Sequence, residues 1–373
     1  MIRQRGLSIL FACGVFAQDP VFHRPSEYVP PQGSTYPERD WEKVASPESA
    51  GYSSERLKIL SAWLKTQETT GMLAITGGRV LFEYGDVAQT SKVASVRKSI
   101  LGMLFGKYIA KEPKLLHATV KQLGLDDLEP FRKVEESATL QDVLQARSGI
   151  YFGDAYSESP RKGTVQPGTH FSYDNWDFNA AGTAFEKIAG QSIYAALETD
   201  LARPLGMQDY DAGKQKKIQT TPEKRISVHP EYAMYLSTRD MARLGLLMAR
   251  FGQWKGRYVL PKGWSEYLTE VVTPADKTWP LPLRREMGGT VSRWGYGVLW
   301  WVWDAPIGNS SAAWTPFTAS FTAMGTDGQY ITVLPAMDLV VAHKNANIDR
   351  EPNRNVDLLA YQTILQMLAG ARR

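Results

Sequence analysis

The chain has 373 residues, of which 43% are hydrophobic and 22% charged, so it is long enough to bury a large core in two structural lobes. Its net charge of +4 comes from interspersed acids and bases without a long run of one sign, which argues against a nucleic-acid partner. Cys13 is the only cysteine, so thiol nucleophiles, thiolate metal sites and internal disulfides are excluded once the N-terminus is removed.

Residues 1–17 join a basic MIRQR to about a dozen apolar residues ending in VFA, the pattern of an export signal too short to span a bilayer. The protein is therefore expected outside the cytoplasm, periplasmic or extracellular, with no integral membrane segment in the mature chain. LFAC before Gly14 loosely resembles a lipoprotein cleavage box, although Phe11 fits it poorly. Residues 18–48, rich in Pro, Ser and Glu, read as an extended arm.

SSERLKILSAWLKTQ (53–67) places Leu57, Leu60, Trp63 and Leu64 on one helix face behind serine caps. MLAITGGRVLFEYGD (72–86) is two β-rich runs joined by Gly77-Gly78, a hairpin signal. KVASVRKSILGML (92–104) then opens a helix that is apolar on most of its circumference. From about 115 to 275 helical patterns dominate, clearest in TLQDVLQARSG, NAAGTAFEKIAG, IYAALETDLARPLG and TRDMARLGLLMARFG. Strand-like sequence resumes over 295–303 and 329–343, with a turn at Pro335 to Asp338, and an amphipathic helix over 356–371 closes the chain. Six of the eleven tryptophans fall between Trp279 and Trp314, where they can pack a core or wall an apolar pocket.

Within the buried helix, Ser95 and Lys98 share a face one turn apart. The helix N-terminus offers unpaired N–H groups to an oxyanion, and a desolvated amine can be neutral near physiological pH and accept a proton. Ser-x-x-Lys is then an activated nucleophile; the alternative is a capping serine beside a snorkelling lysine. The same tetrapeptide recurs at Ser159–Lys162, but Gly and Pro there forbid a buried helix. PGTHFSYDN (167–175) carries Tyr173 and Asn175 in a loop before a helix. A tyrosine there can shuttle protons beside a buried lysine, and the amide can orient both lysine and substrate; alone, the segment reads as an Asx turn. No Gly-x-Ser-x-Gly elbow is present, the five histidines lack ligand spacing, and no glycine-rich phosphate loop opens a helix, so neither metal nor cofactor is implied.

SVRK, LQDVLQARSGI (140–150), PGTHFSYDN, RDMARLG (239–245) and GTDGQYITVLPAMDLVVA (325–342) fall in the order and rough spacing of the serine β-lactamase-like hydrolases. That group includes class C β-lactamases, D-amino-acid-releasing peptidases, family VIII-type carboxylesterases and 6-aminohexanoate-dimer hydrolases. The resemblance covers about residues 45 to 370. It implies an α+β fold of the β-lactamase/transpeptidase type, with an antiparallel sheet built by both termini, flanked by helices, and a mostly helical region inserted. The expected division is a sheet lobe of residues 49–94 and 288–373 and a helical lobe of residues 95–287.

The resemblance implies Ser95 as nucleophile, Lys98 as its base partner, Tyr173 as general acid and base, and Asn175 as the orienting amide. The N–H groups of Ser95 and Thr326 would form the oxyanion hole, beside Gly325. The family's third motif is altered: where β-lactamases commonly carry Lys-Thr-Gly or His-x-Gly, this chain has Ala323-Met324-Gly325. Without a cation at 323, the partner of a β-lactam carboxylate is missing. FGDAYSESP (152–160) resembles a loop of the nylon-dimer hydrolases, which makes Tyr156 a candidate substrate contact. The expectation is a cofactor-free serine hydrolase acting on a small ester or amide, esterase or nylon-oligomer amidase in type. The alternatives are a class C-like β-lactamase or D-amino-acid peptidase, and a non-catalytic penicillin-binding sensor.

Overall fold

The computed structural model describes residues 31–151, 160–219, 227–278, 294–304, 315–347 and 356–373. The expected export signal and the first part of the arm lie outside them. Among the described residues, no helix is long and apolar enough to cross a membrane.

Helix α1 (Ser54–Leu64) starts where the Ser53 side chain accepts the Arg56 N–H, and it buries Leu57, Leu60 and Leu64 along one stripe. Strands β1 (Gly71–Thr76) and β2 (Arg79–Gly85) form the expected hairpin. Gly77 and Gly78 both take positive φ, 58° and 79°, as a tight two-residue hairpin turn requires. The arm runs along this hairpin: Thr35 N–H donates to Gly77 O at 3.0 Å and Val44 N–H to Val80 O at 3.0 Å, which covers the edge strand.

Strand β3 (Ser91–Lys92) leads into α2 (Val96–Ile109), and α3 (Leu140–Leu144) and α4 (Asn175–Ala189) pack beside it. The long segment to residue 275 holds α5 (Ile193–Ala196), α6 (Arg203–Leu205), α7 (Thr238–Ala249) and α8 (Trp264–Thr269). It also contains short strands that the helical pattern did not announce: β4 (Lys216–Ile218), β5 (Glu231–Ala233), β6 (Tyr235–Leu236), β7 (Gln253–Trp254) and β8 (Arg257–Tyr258). They pair β3–β6, β4–β5 and β7–β8, over two or three residues each. Such runs are too short to set a period-two pattern.

The strand-like stretch at 295–303 is two strands, β9 (Trp294–Tyr296) and β10 (Trp301–Trp303), turned back on each other with Leu299 at φ 62°. After β11 (Phe321–Gly325), β12 (Gln329–Leu334) and β13 (Leu339–Lys344), helix α9 (Leu358–Ala371) ends the chain. The main sheet has the order β2-β1-β13-β12-β11-β10-β9, antiparallel throughout, so strands from the two ends of the chain meet at β1–β13.

Alternation along β12 explains why these strands are apolar on both faces. Ile331 lies against α7 at Gly245, while Tyr330 stacks on Tyr361 of α9 at 3.9 Å and Thr332 bonds the Tyr361 hydroxyl at 2.6 Å. Helices therefore cover both sides, and α2 packs against β11. The RDMARLG segment does structural work within this arrangement. Asp240 accepts the N–H groups of Gln208 and Asp209, and Arg243 donates to the carbonyls of Leu205, Glu38 and Arg39, which ties the arm to the helical region.

Candidate active site

Ala94 takes φ 46°, a left-handed conformation unusual for a residue with a side chain, and it turns the chain from β3 into α2. Ser95 follows at the N-cap position with nearly helical angles (φ −71°, ψ −7°), and its hydroxyl makes no capping hydrogen bond. The side chain is half-buried, so the capping role does not describe it.

Lys98, one turn further, is only 2% exposed. Its Nζ donates to the Tyr173 hydroxyl and to Asn175 Oδ1, both at 3.0 Å. It also lies 4.1 Å from the centroid of the Tyr173 ring and 4.0 Å from that of Phe178. Two aromatic faces stabilise the ammonium form by cation–π attraction, and two oxygens accept its N–H bonds, which offsets the desolvation of a buried charge.

Tyr173 and Asn175 arrive through the start of α4. The Asp174 side chain caps the helix by accepting the Trp176 N–H at 2.9 Å, and the Trp176 indole donates to Asp127 at 2.7 Å. Asn175 is thus the first residue of a rigid helix, and Phe178 follows three positions later on the same face. The half-buried Tyr173 ring is walled by Phe178 at 4.6 Å, Trp301 at 5.4 Å and Tyr296 at 6.1 Å between centroids. Burial pushes the Tyr296 phenol well above its ordinary value, with Tyr173 adding to the rise, so Tyr296 stays neutral and serves as a wall. Asp177 is fully enclosed, and burial likewise holds its carboxyl well above the carboxylate range, beside Ser148.

Gly325 closes the other side. A Cβ there would lie 2.7 Å from Val93 O and 3.1 Å from the Ser95 nitrogen, so only glycine lets β11 come this close to the N–H of Ser95. The β10–β11 ladder involves Thr322 and Phe321, and among the described residues Ala323 to Gly325 have no ladder partner on that side. Thr326 follows in the exposed turn. Ala323 is completely buried and Met324 is 8% exposed, so this strand brings no cation to the cleft. Among the described residues, no group of three or more His, Cys, Asp or Glu side chains is placed to hold a metal ion.

The structure therefore gathers Ser95, Lys98, Tyr173, Asn175 and Gly325, while Tyr156 lies outside the described residues. Phe178, Tyr296 and Trp301 were not singled out by the sequence. Phe178 could have been, since its spacing from Asn175 puts it over the amine; the other two come from distant strands. His170 meets the Tyr151 ring edge-on, 6.5 Å between centroids. His229 is buried, with Nδ1 3.0 Å from the Thr183 hydroxyl.

An antiparallel sheet covered by helices on both faces, with a Ser-x-x-Lys helix start against one strand, is the β-lactamase/transpeptidase-like α+β fold. A family model described as Beta-lactamase matches residues 72–358, and the chain belongs to that family. Among solved structures it is similar to EstCE1, described as a hydrolase with promiscuous acyltransferase activity (14% identity, TM-score 0.61, 88% of this chain and 99% of that one). It is also similar to a Bacillus anthracis protein provisionally described as a 6-aminohexanoate-dimer hydrolase (17% identity, TM-score 0.59, 91% and 89%). A third similar structure is a penicillin-binding protein homologue from Caulobacter crescentus (13% identity, TM-score 0.59, 87% and 99%). No curated protein matches the chain.

Proposed function

We propose that the protein is a serine hydrolase that cleaves a small ester or linear amide through an acyl-enzyme on Ser95. The observation that carries this reading is the position of the Lys98 amine, bonded at 3.0 Å to both the Tyr173 hydroxyl and the Asn175 amide one turn after Ser95. The Ser95 oxygen attacks the carbonyl carbon while its proton passes to the Lys98–Tyr173 pair. The oxyanion rests on the N–H groups of Ser95 and Thr326, a type of interaction worth about 10²–10³ in rate per donor. Tyr173 protonates the leaving group; water then attacks the acyl carbon, giving a proton to the same pair, which returns one to the Ser95 oxygen as the acyl–oxygen bond breaks. No cofactor takes part.

Ala323, in place of a cation, favours substrates without the carboxylate that β-lactams and D-amino-acid peptides present. The hydrolase descriptions of EstCE1 and of the Bacillus anthracis protein agree with a hydrolytic reaction. The reading sets the reaction where a sheet lobe (49–94 with 288–373) meets a mostly helical lobe (95–287). It gives Tyr156 a substrate contact, and it takes residues 1–17 as an export signal.

A fluorophosphonate probe should add its mass at Ser95 of the wild type and leave Ser95→Ala unlabelled. Equal labelling of the variant would reject the nucleophile. On purified protein, short-chain nitrophenyl esters should turn over faster than a chromogenic cephalosporin. The reverse ranking would restore the β-lactamase reading, and stoichiometric acylation without turnover would identify a sensor.

A further inference from the structure

The LQARSGI segment supplies no reacting group to the scheme above, yet it holds the loop that presents Tyr173. Helix α3 stops at Leu144, short of the helical pattern, because Ala146 turns to φ 57°, a left-handed conformation unfavourable for a non-glycine residue. The turn aims two carbonyls at the following loop: Ala146 O accepts the Ser172 N–H at 2.9 Å, and Arg147 O accepts the Gly168 N–H at 2.8 Å. The loop of residues 168–172 is thereby laid along the end of α3, one residue short of Tyr173.

The Arg147 guanidinium completes the clamp. Its Nε donates to Gly168 O at 2.9 Å, and Nη2 donates to the same carbonyl. On its other edge Nη1 donates to Val272 O and to the Thr273 hydroxyl, each at 3.3 Å. Thr273 in turn exchanges backbone hydrogen bonds with Tyr296, at 2.9 and 2.8 Å. The Tyr296 ring meets the Tyr173 ring edge-on, at 87°. One planar cation therefore joins the loop that carries Tyr173 to the strand that walls its ring, using both edges of a fork that lysine does not have.

We propose that Arg147 is a positioning residue for Tyr173, fixing the phenol where it can protonate the departing group. This rests on the reading of Tyr173 as general acid. A displacement on the order of 1 Å in such a group can cost about 10²-fold in rate. The loss must therefore grow with the leaving group's need for a proton. Loosening of the fold as a whole would instead slow all esters alike.

The experiment compares two esters of one acyl group, one of 4-nitrophenol and one of benzyl alcohol, in wild type, Arg147→Met and Arg147→Lys, with near-UV circular dichroism reporting the fold. In Arg147→Met, kcat/KM for the benzyl ester should fall about 30-fold or more, and for the nitrophenyl ester about threefold or less, with Arg147→Lys between. Equal losses for both esters, or no loss, would overturn the proposal. Should Arg147→Met fail to fold, the widening must be present in Arg147→Lys, and its absence there rejects the proposal. Fluorophosphonate labelling of Ser95 separates the two readings. If wild-type Ser95 does not react, the nucleophile reading fails and this one with it; if it reacts in every variant without a change in leaving-group dependence, only the role of Arg147 fails.

Discussion

Among the described residues, Lys98 at 2% and Lys344 at 1% exposure are buried almost completely, and they sit in opposite kinds of surroundings. Lys98 lies in the first turn of α2, and its Nζ meets a phenol and a side-chain amide brought in from another segment. Lys344 ends β13, and its Nζ donates to the backbone carbonyls of Ser91, at 2.9 Å, and Leu236. Those carbonyls belong to the β3–β6 pair just ahead of Ser95, and among the described residues no carboxylate pairs with this amine. Burial alone lowers the Lys344 amine to about 7. Backbone carbonyls can accept its hydrogen bonds but have no proton to exchange, whereas the phenol beside Lys98 does. Burying an amine is thus not enough for acid–base chemistry; it needs a titratable neighbour and a nucleophile within one helical turn.

The largest expected effect separates the two amines outright. Lys98→Met should lower kcat/KM by about 10³-fold or more while leaving the fold intact, because the Lys98–Tyr173 pair proposed to take the serine proton is broken. Lys344→Met should stay within about tenfold of wild type, since it braces β3 without touching substrate. Steady-state kinetics on the best ester decides, and equal losses in the two variants would break the distinction.

A smaller effect probes the strand facing Ser95. Gly325→Ala would push a methyl group to 2.7 Å from Val93 O and 3.1 Å from Ser95 N, so β11 must retreat from the oxyanion position. A loss of about 10²-fold in kcat is expected, with a small change in KM. Unchanged kcat would remove Gly325 from the site.

The smallest effect is thermodynamic. The Lys344 amine titrates at about 7 in the folded protein, against an ordinary value of 10.5. Between those values the unfolded chain holds a proton that the folded chain lacks, so this group makes stability rise with pH, by at most about 1.4 kcal/mol per pH unit. Urea unfolding at pH 7 and pH 9 should show wild type gaining relative to Lys344→Met. A constant difference between the two proteins would mean that the amine keeps its charge when buried.

Much of this architecture was legible because it is local. The Leu57, Leu60 and Leu64 stripe, the Gly77-Gly78 turn, the apolar helix after Ser95 and the Pro335–Asp338 reversal each depend on neighbours in sequence. The end of α3 is not legible in the sequence, because the LQDVLQARSG pattern stays helical in composition while the Ala146 carbonyl is bonded by a loop some twenty-five residues later. Phe178 over the Lys98 amine was within reach of helical spacing; Tyr296, Trp301 and the Arg147 clamp were not, since they join segments more than a hundred residues apart.

By itself the order of residues determined which groups could do chemistry: a serine and a lysine one turn apart, a tyrosine and an asparagine before a helix, and a strand without its cation. Folding decided that these groups meet. The amine, the phenol and the glycine strand lie on separate segments, and only packing around α2, α4 and β11 puts the phenol 3.0 Å from the amine and Gly325 against the Ser95 N–H. Periodicity constrains the next turn of a helix or strand; the distance between remote segments is set by how the whole core fills space.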